Sequence, residues 1–239
     1  MTVRDEQLLP WPRPEAELRD ELRADYGAMT GLDREIGRLL ETLKAKGELE
    51  RTIVIFSSDH GLSMGSHGLL GKQNLYEHGM KAPLIFAGPG IPHGSSPALA
   101  YLFDIFPTVC GSTGVAIPQD SGRPRLSPII AGKKEKVRNE LFTAYRDVQR
   151  AVRDERWKLI RYPQIDKTQV FDLQNDPDEL KDLADDPAHR GVRDRLLTSL
   201  GEWRTFYEDD AALDANPPKP SRFTPPVAKP AKNEKASKK

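Results

Sequence analysis

Thr52-Ile-Val-Ile-Phe-Ser-Ser-Asp-His-Gly61 is the stretch on which the fold turns. Thr52 to Phe56 is β-branched and aromatic without polar alternation, the pattern of a strand covered on both faces. It breaks off into two serines, an aspartate, a histidine and a glycine. Pro83 to Ala87 repeats the apolar pattern after a glycine-rich interval. Upstream, Leu18, Leu22, Tyr26, Met29, Leu32, Ile36, Leu39, Leu40 and Leu43 recur at spacings of mostly three and four, one stripe of a long amphipathic helix. Gly27, Gly31 and Gly37 interrupt that helix, each at a cost of roughly 1 kcal/mol against Ala, and suit a helix lying close on a sheet. Gly47 suits its stop. Helix, buried strand, loop and buried strand predict an α/β fold containing part of a mainly parallel sheet flanked by helices.

After residue 118 the texture changes. Gln119 to Lys136 is rich in Gly, Pro and Lys and reads as a connection. Short strands are expected at Leu141–Tyr145, Arg150–Val152, Lys158–Tyr162 and Val170–Leu173, with Asp154-Glu155 turning between the middle two. Val192, Leu196, Leu197, Leu200, Trp203 and Tyr207 mark a closing helix. The α/β part is thus followed by a small antiparallel sheet with a C-terminal helix. The expected divisions are a lead-in at 1–14, part of an α/β core at 15–118, a small α+β subdomain at 119–213 and a disordered tail at 214–239. That tail holds six prolines and seven Lys or Arg, with little apolar surface to offset its ordering entropy.

The 36 basic and 36 acidic side chains balance, so no global charge draws the chain to nucleic acid or an anionic membrane. Ile53 to Phe56 is the longest branched-apolar run, far too short to span a bilayer. No signal-peptide core opens the sequence. Cys110 is the only cysteine, so no internal disulfide forms and the compartment is left unassigned.

In α/β sheets ligands bind beyond the carboxyl ends of strands, which is where Asp59 and His60 fall. Aspartate offers hard oxygens to Ca²⁺ or Mg²⁺, and histidine a neutral nitrogen to a borderline metal. A turn aspartate beside a surface histidine is the plainer reading. Ser57, Ser58, Asp59 and His60 do not make a nucleophilic triad, whose members converge from separate segments. Nor do the five histidines (60, 67, 78, 93 and 189) contain the two at four-residue spacing that a zincin helix needs. A zinc site drawn from His60, His67 and His78 is a further alternative. Lys72 stands twelve residues past His60 in a Gly-rich loop, where one ammonium could meet a sulfate or phosphate oxygen, or simply face solvent. His67 could contact the same anion or cap the loop.

Leu32-Asp33-Arg-Glu-Ile-Gly-Arg-Leu-Leu40, Thr52 to Gly61, His67-Gly-Leu-Leu-Gly-Lys72, Leu75-Tyr-Glu77 and Ala82-Pro-Leu-Ile85 resemble the sulfatase family of the alkaline-phosphatase superfamily. Asp104-Ile-Phe-Pro-Thr108, Trp157-Lys-Leu-Ile160 and Phe171-Asp-Leu-Gln-Asn-Asp-Pro-Asp-Glu179 resemble the same family's small C-terminal domain. The resemblance, running from about residue 20 to 210, implies the C-terminal half of a metal-dependent sulfuric ester hydrolase. It implies that Asp59 and His60 are two ligands of a divalent cation, Ca²⁺ first, with Mg²⁺ or Mn²⁺ as alternatives. It implies that Lys72 contacts the sulfate and that His67 is a candidate substrate contact. The other metal ligands and the formylglycine nucleophile, made from a Cys or Ser followed by Pro or Ala and then Arg, belong to the family's N-terminal half. Many members are exported, with the signal on that half.

Cys110 is followed by Gly, Ser and Thr, without the Pro or Arg of the modification motif, and reads as a buried structural cysteine. Ser66 and His78 stand where Glu is frequent in the family, and Lys81 where Arg is. Such a chain would need a sulfate-ester substrate and the missing N-terminal half as partners, and would be inactive alone. A phosphonate- or phosphodiester-cleaving relative is the nearest competing assignment. A remnant that binds metal, an anion or a partner without turnover is the non-enzymatic one.

Overall fold

A computed structural model describes residue 8, residues 13–118 and residues 124–221. Most of the lead-in and of the tail therefore lies outside the described residues. Helix α1 spans Glu15–Ala45, roughly 46 Å at 1.5 Å per residue. Glu15 and Glu17 sit in its first turn and Lys44 in its last, each favourable against the helix dipole. Its stop is a Schellman turn. Glu48 N–H donates to Leu43 O at 2.9 Å and Gly47 N–H to Lys44 O at 3.0 Å, with Gly47 at φ 66°. The expected apolar stripe is present, yet α1 buries no residue. Tyr26 and Leu39 are each more than 60% exposed. Nothing lies within 4 Å of a Cβ built at Gly27, Gly31 or Gly37, so the sheet expected against them is not supplied by the described residues.

Strands β1, Val54–Ser57, and β2, Leu84–Ala87, follow. They pair antiparallel, Val54 against Ala87 and Ser57 against Leu84. Of the mainly parallel sheet expected, this one pair is thus antiparallel, and the reason lies in the connection. Parallel neighbours need a crossover that carries the chain back to the starting end of the sheet. Between these strands lie only a 3-10 turn, Ser66–Gly68, and the single α-helical turn α2, Glu77–Met80, so the chain re-enters at the end where it left. The strands are also barer than their composition predicts, since Phe56 is 38% and Ile85 55% exposed.

The remaining strands form one antiparallel meander in the order β3 (Leu141–Tyr145), β4 (Gln149–Arg153), β5 (Trp157–Tyr162) and β6 (Lys167–Asp172). Asp154 makes the β4–β5 turn, its Oδ1 accepting from the N–H groups of Arg156 and Trp157 at 2.8 and 2.6 Å. Helix α5, Arg190–Phe206, covers one face of this sheet. There Leu196 and Leu200 pack with Phe142, Val152, Leu159 and Val170. The opposite face is covered by the loop between β1 and β2, whose Leu69, Leu75 and Tyr76 pack on Ala151, Ile160, Tyr162 and Phe171. The small sheet is thus a platform beneath the loop that carries Lys72.

Helix α3, Ile105–Thr113, buries Cys110, as the structural reading requires. Asp104, at its start, is fully buried and meets Arg138 in two hydrogen bonds of 2.6 Å. Tyr101 OH donates to Phe142 O at 2.9 Å and accepts from Phe142 N–H at 2.6 Å, tying this region to β3. Where a plain connection was expected, a short helix α4 spans Ser127–Ile130. The described start of the tail is also engaged. Asp214 pairs with Arg161 at 2.9 Å, and Lys219 N–H donates to Gln164 O at 2.8 Å.

Candidate functional site

Backbone geometry fixes the exit from β1. Ser57 Oγ donates to Pro83 O at 2.8 Å, and Ser58 Oγ to His60 O at 2.8 Å. Gly61 N–H donates to Gly79 O at 2.9 Å. A Cβ at Gly61 would lie 2.1 Å from the carbonyl oxygen of His78, so glycine is what lets the strand exit pass the α2 turn. The chain then folds back on itself. Ser63, Met64 and Gly65 donate N–H groups to the carbonyls of Gly71, Leu70 and Leu69. Buried Asn74 staples this loop, donating to Ser63 Oγ at 2.9 Å and accepting from Tyr76 N–H at 3.1 Å.

That fold-back brings Lys72 to the end of β1. Its ammonium hydrogen-bonds His60 Nε2, and Asp59 Oδ2 stands 3.2 Å from the same nitrogen. His60 Nδ1 lies 2.9 Å from Gly61 O. A carbonyl can only accept, so Nδ1 carries the proton and Nε2 accepts from the Lys72 ammonium, with the Asp59 carboxylate beside it as a second electron-pair donor. Asp59, His60 and Lys72 thus gather a carboxylate, an imidazole and an ammonium at the carboxyl end of an α/β strand. Such a set suits an anionic ester together with a cation.

His67 lies elsewhere. It adopts φ 53° at the loop tip, and its ring stacks on Tyr76 with centroids 3.9 Å apart and planes 3° from parallel. Its Nε2 meets Asp178 O at 3.1 Å. The zinc alternative from His60, His67 and His78 is corrected at His60. His67 and His78 do meet, at a centroid distance of 5.2 Å, but it is Glu179 that joins them. His60 is turned to Asp59 and Lys72.

Beneath the loop is a charge cluster to which sequence reasoning assigned no role. Lys158 bridges Glu77 at 3.0 Å and Glu179 at 2.8 Å, and Arg153 pairs with Glu77 from β4. Burial pushes the Glu77 carboxyl up, but Lys158 and Arg153 outweigh it and hold the group below its usual range. For Glu179 burial wins, and its carboxyl is raised. Burial, helped by the nearby charges of His67 and Lys158, lowers His78 to about 4. The available signal was the position of Glu77 and Glu179 within the Leu75-Tyr-Glu77 and Asp176-Pro-Asp-Glu179 segments.

Comparison with known proteins places the chain in a family. Residues 65–205 match the family described as N-sulphoglucosamine sulphohydrolase, C-terminal. Residues 5–115 match the sulfatase family. The chain belongs to the sulfatase family. It is 34% identical over 211 residues to a choline-sulfatase of Rhizobium meliloti (strain 1021), covering 84% of this chain and 40% of that protein. A solved 2-O GAG sulfatase superposes with a TM-score of 0.73 at 27% identity, covering 82% of this chain and 45% of that one. A phosphonate monoester hydrolase of Agrobacterium radiobacter superposes with a TM-score of 0.67 at 27% identity, over 80% of this chain and 42% of the other. The chain therefore spans less than half the length of these relatives.

Proposed function

We propose that this chain supplies the C-terminal part of a sulfatase catalytic centre, with Asp59 and His60 as two ligands of a divalent cation, Ca²⁺ first, and Lys72 as a sulfate contact. The observation that carries this is the convergence of those three side chains at the end of β1. The donor set fits a divalent cation, since a hard carboxylate oxygen and an imidazole lone pair face one another 3.2 Å apart. When bound, the cation acts as a Lewis acid on the ester. With His60 Nε2 holding the cation, the Lys72 ammonium that now meets that nitrogen would be free to hydrogen-bond a sulfate oxygen. Two ligands fall well short of the six to eight that Ca²⁺ takes, so the remaining ligands and the nucleophile come from an N-terminal half. Cys110 is no substitute, being buried in α3 without the modification motif. The bare apolar positions Tyr26, Met29, Leu32 and Leu39 on α1 and Phe56 and Ile85 on the strand pair are surface that such a half would cover.

The chain alone is expected to hydrolyse no chromogenic aryl sulfate above a Cys110→Ala control. Joined to a complementary N-terminal half it gains turnover, and Lys72→Ala lowers kcat/KM by roughly 10²–10³, the usual loss for one oxyanion-stabilising group. Lys44→Ala on α1 leaves it unchanged. Equal small effects from both substitutions would make Lys72 a surface lysine. The phosphonate monoester hydrolase likeness favours one second reading, because a lysine and a cation recognise any tetrahedral oxyanion. A parallel assay with an aryl phosphonate monoester decides between them. Absence of turnover on both esters in the joined form would favour a non-catalytic binding chain.

A further inference from the structure

We propose that His67, His78 and Glu179 form a second metal site, structural in role, that takes a borderline divalent ion such as Zn²⁺ and clamps the Lys72 loop to the small sheet. The site is independent of Asp59 and His60, and the inference does not rest on the catalytic reading above.

The three ligand atoms lie within 4.8 Å of one another. They come from three separate places: the loop tip, the α2 turn and the segment after β6. The edges of a tetrahedral zinc site are about 3.3 Å for ligands near 2.0 Å, so closure needs side-chain adjustment rather than backbone movement. Each group is already held. Tyr76 stacks beneath His67, Asp178 O fixes His67 Nε2, and the His67 and His78 rings lie 26° from parallel. His67 keeps a left-handed backbone at φ 53°, an uncommon conformation for a non-glycine residue.

The chemistry of the donors also points to a cation. His78 Nε2 is buried and has no hydrogen-bond partner among the described residues, an arrangement that costs free energy unless something engages that nitrogen. The ring stays neutral at pH 7, the form that ligates. Glu179 is fully buried. Its Oε1 faces Lys158 at 2.8 Å but accepts no hydrogen bond of good geometry. Lys158 keeps Glu77 at 3.0 Å, so Oε1 can turn to a cation without stranding the ammonium. Two imidazoles and one carboxylate suit Zn²⁺, with a fourth position left to water, whereas Ca²⁺ would find a single oxygen.

The test is calorimetric titration of ZnCl₂ into EDTA-stripped chain of residues 1–239, with thermal unfolding in parallel. One Zn²⁺ per chain binds and Tm rises. His78→Ala lowers the affinity tenfold or more, since losing a ligand costs at least what losing an outer-shell partner does, and abolishes the rise in Tm. The paired change Asp59→Asn with His60→Ala leaves both readouts unchanged, as does His93→Ala. Because Glu179 also supports Lys158, Glu179→Gln is read by Co²⁺ absorption, whose tetrahedral visible bands disappear while circular dichroism shows the chain folded. Zinc binding that survives His78→Ala, or that is lost with Asp59 and His60 instead, overturns the proposal. So does the absence of saturable Zn²⁺ binding to the stripped chain.

Discussion

Replacing Gly61 by Ala adds one methyl group, and the structure sets its cost. The new Cβ would stand 2.1 Å from the His78 carbonyl oxygen, 3.1 Å from the carbonyl carbon and 3.4 Å from Lys81 O. Relieving the first contact requires about 1 Å of movement between two backbone segments, comparable to the overpacking that costs about 1–3 kcal/mol in cores. The Gly61 N–H bond to Gly79 O is stretched or broken, a further loss of about 1 kcal/mol. Gly61→Ala should therefore destabilise the chain by about 2–4 kcal/mol in all. It should also weaken Ca²⁺ binding in the joined form, because Asp59 and His60 are carried out of register with Lys72. The same substitution at Gly27 should act in the opposite sense. No described residue lies within 4 Å of its Cβ, so Ala there should stabilise exposed helix by about 1 kcal/mol. Urea unfolding followed by tryptophan fluorescence measures both. A Gly61→Ala variant within about 0.5 kcal/mol of the parent, the ordinary scatter of surface changes, would refute the close-approach argument.

Asp104→Ala leaves Arg138 buried without its carboxylate and should cost about 3–5 kcal/mol, whereas Arg19→Ala, which breaks an exposed pair with Glu15, should cost under about 0.5 kcal/mol. Urea midpoints of the two variants check the contrast. Asp172, held chiefly by the Arg156 guanidinium at a pKa of about 2 against an ordinary 3.8, is a depressed carboxylate. Its contribution is present above about pH 4 and is lost as pH falls through 2. Unfolding midpoints measured from pH 5 to pH 2.5 should fall less steeply in Arg156→Ala than in the parent.

Much of this chain is legible one segment at a time. The α1 stripe with its Gly47 stop, the four short strands and the α5 face are local patterns. They follow from helical and strand periodicity and from turn chemistry at Asp154. The resemblance to sulfatases likewise rested on contiguous motifs, and the family matches bear it out. Asp59 and His60 could be assigned to a strand end because a buried run followed by polar residues and glycine has that meaning locally. Tertiary structure alone decided the rest. β1 and β2 run antiparallel because the path of residues 58–83 returns to the same end, and strand composition carries no direction. Leu69, Leu75 and Tyr76 roof the far face of the small sheet, although nothing in their spacing names that partner. Glu179 meets His67 and His78 across about a hundred residues of chain, brought there by the docking of that loop on the sheet. Periodicity records which face of an element is apolar. Only the packed structure records which other surface covers it, and the contacts between distant charged groups follow from that choice.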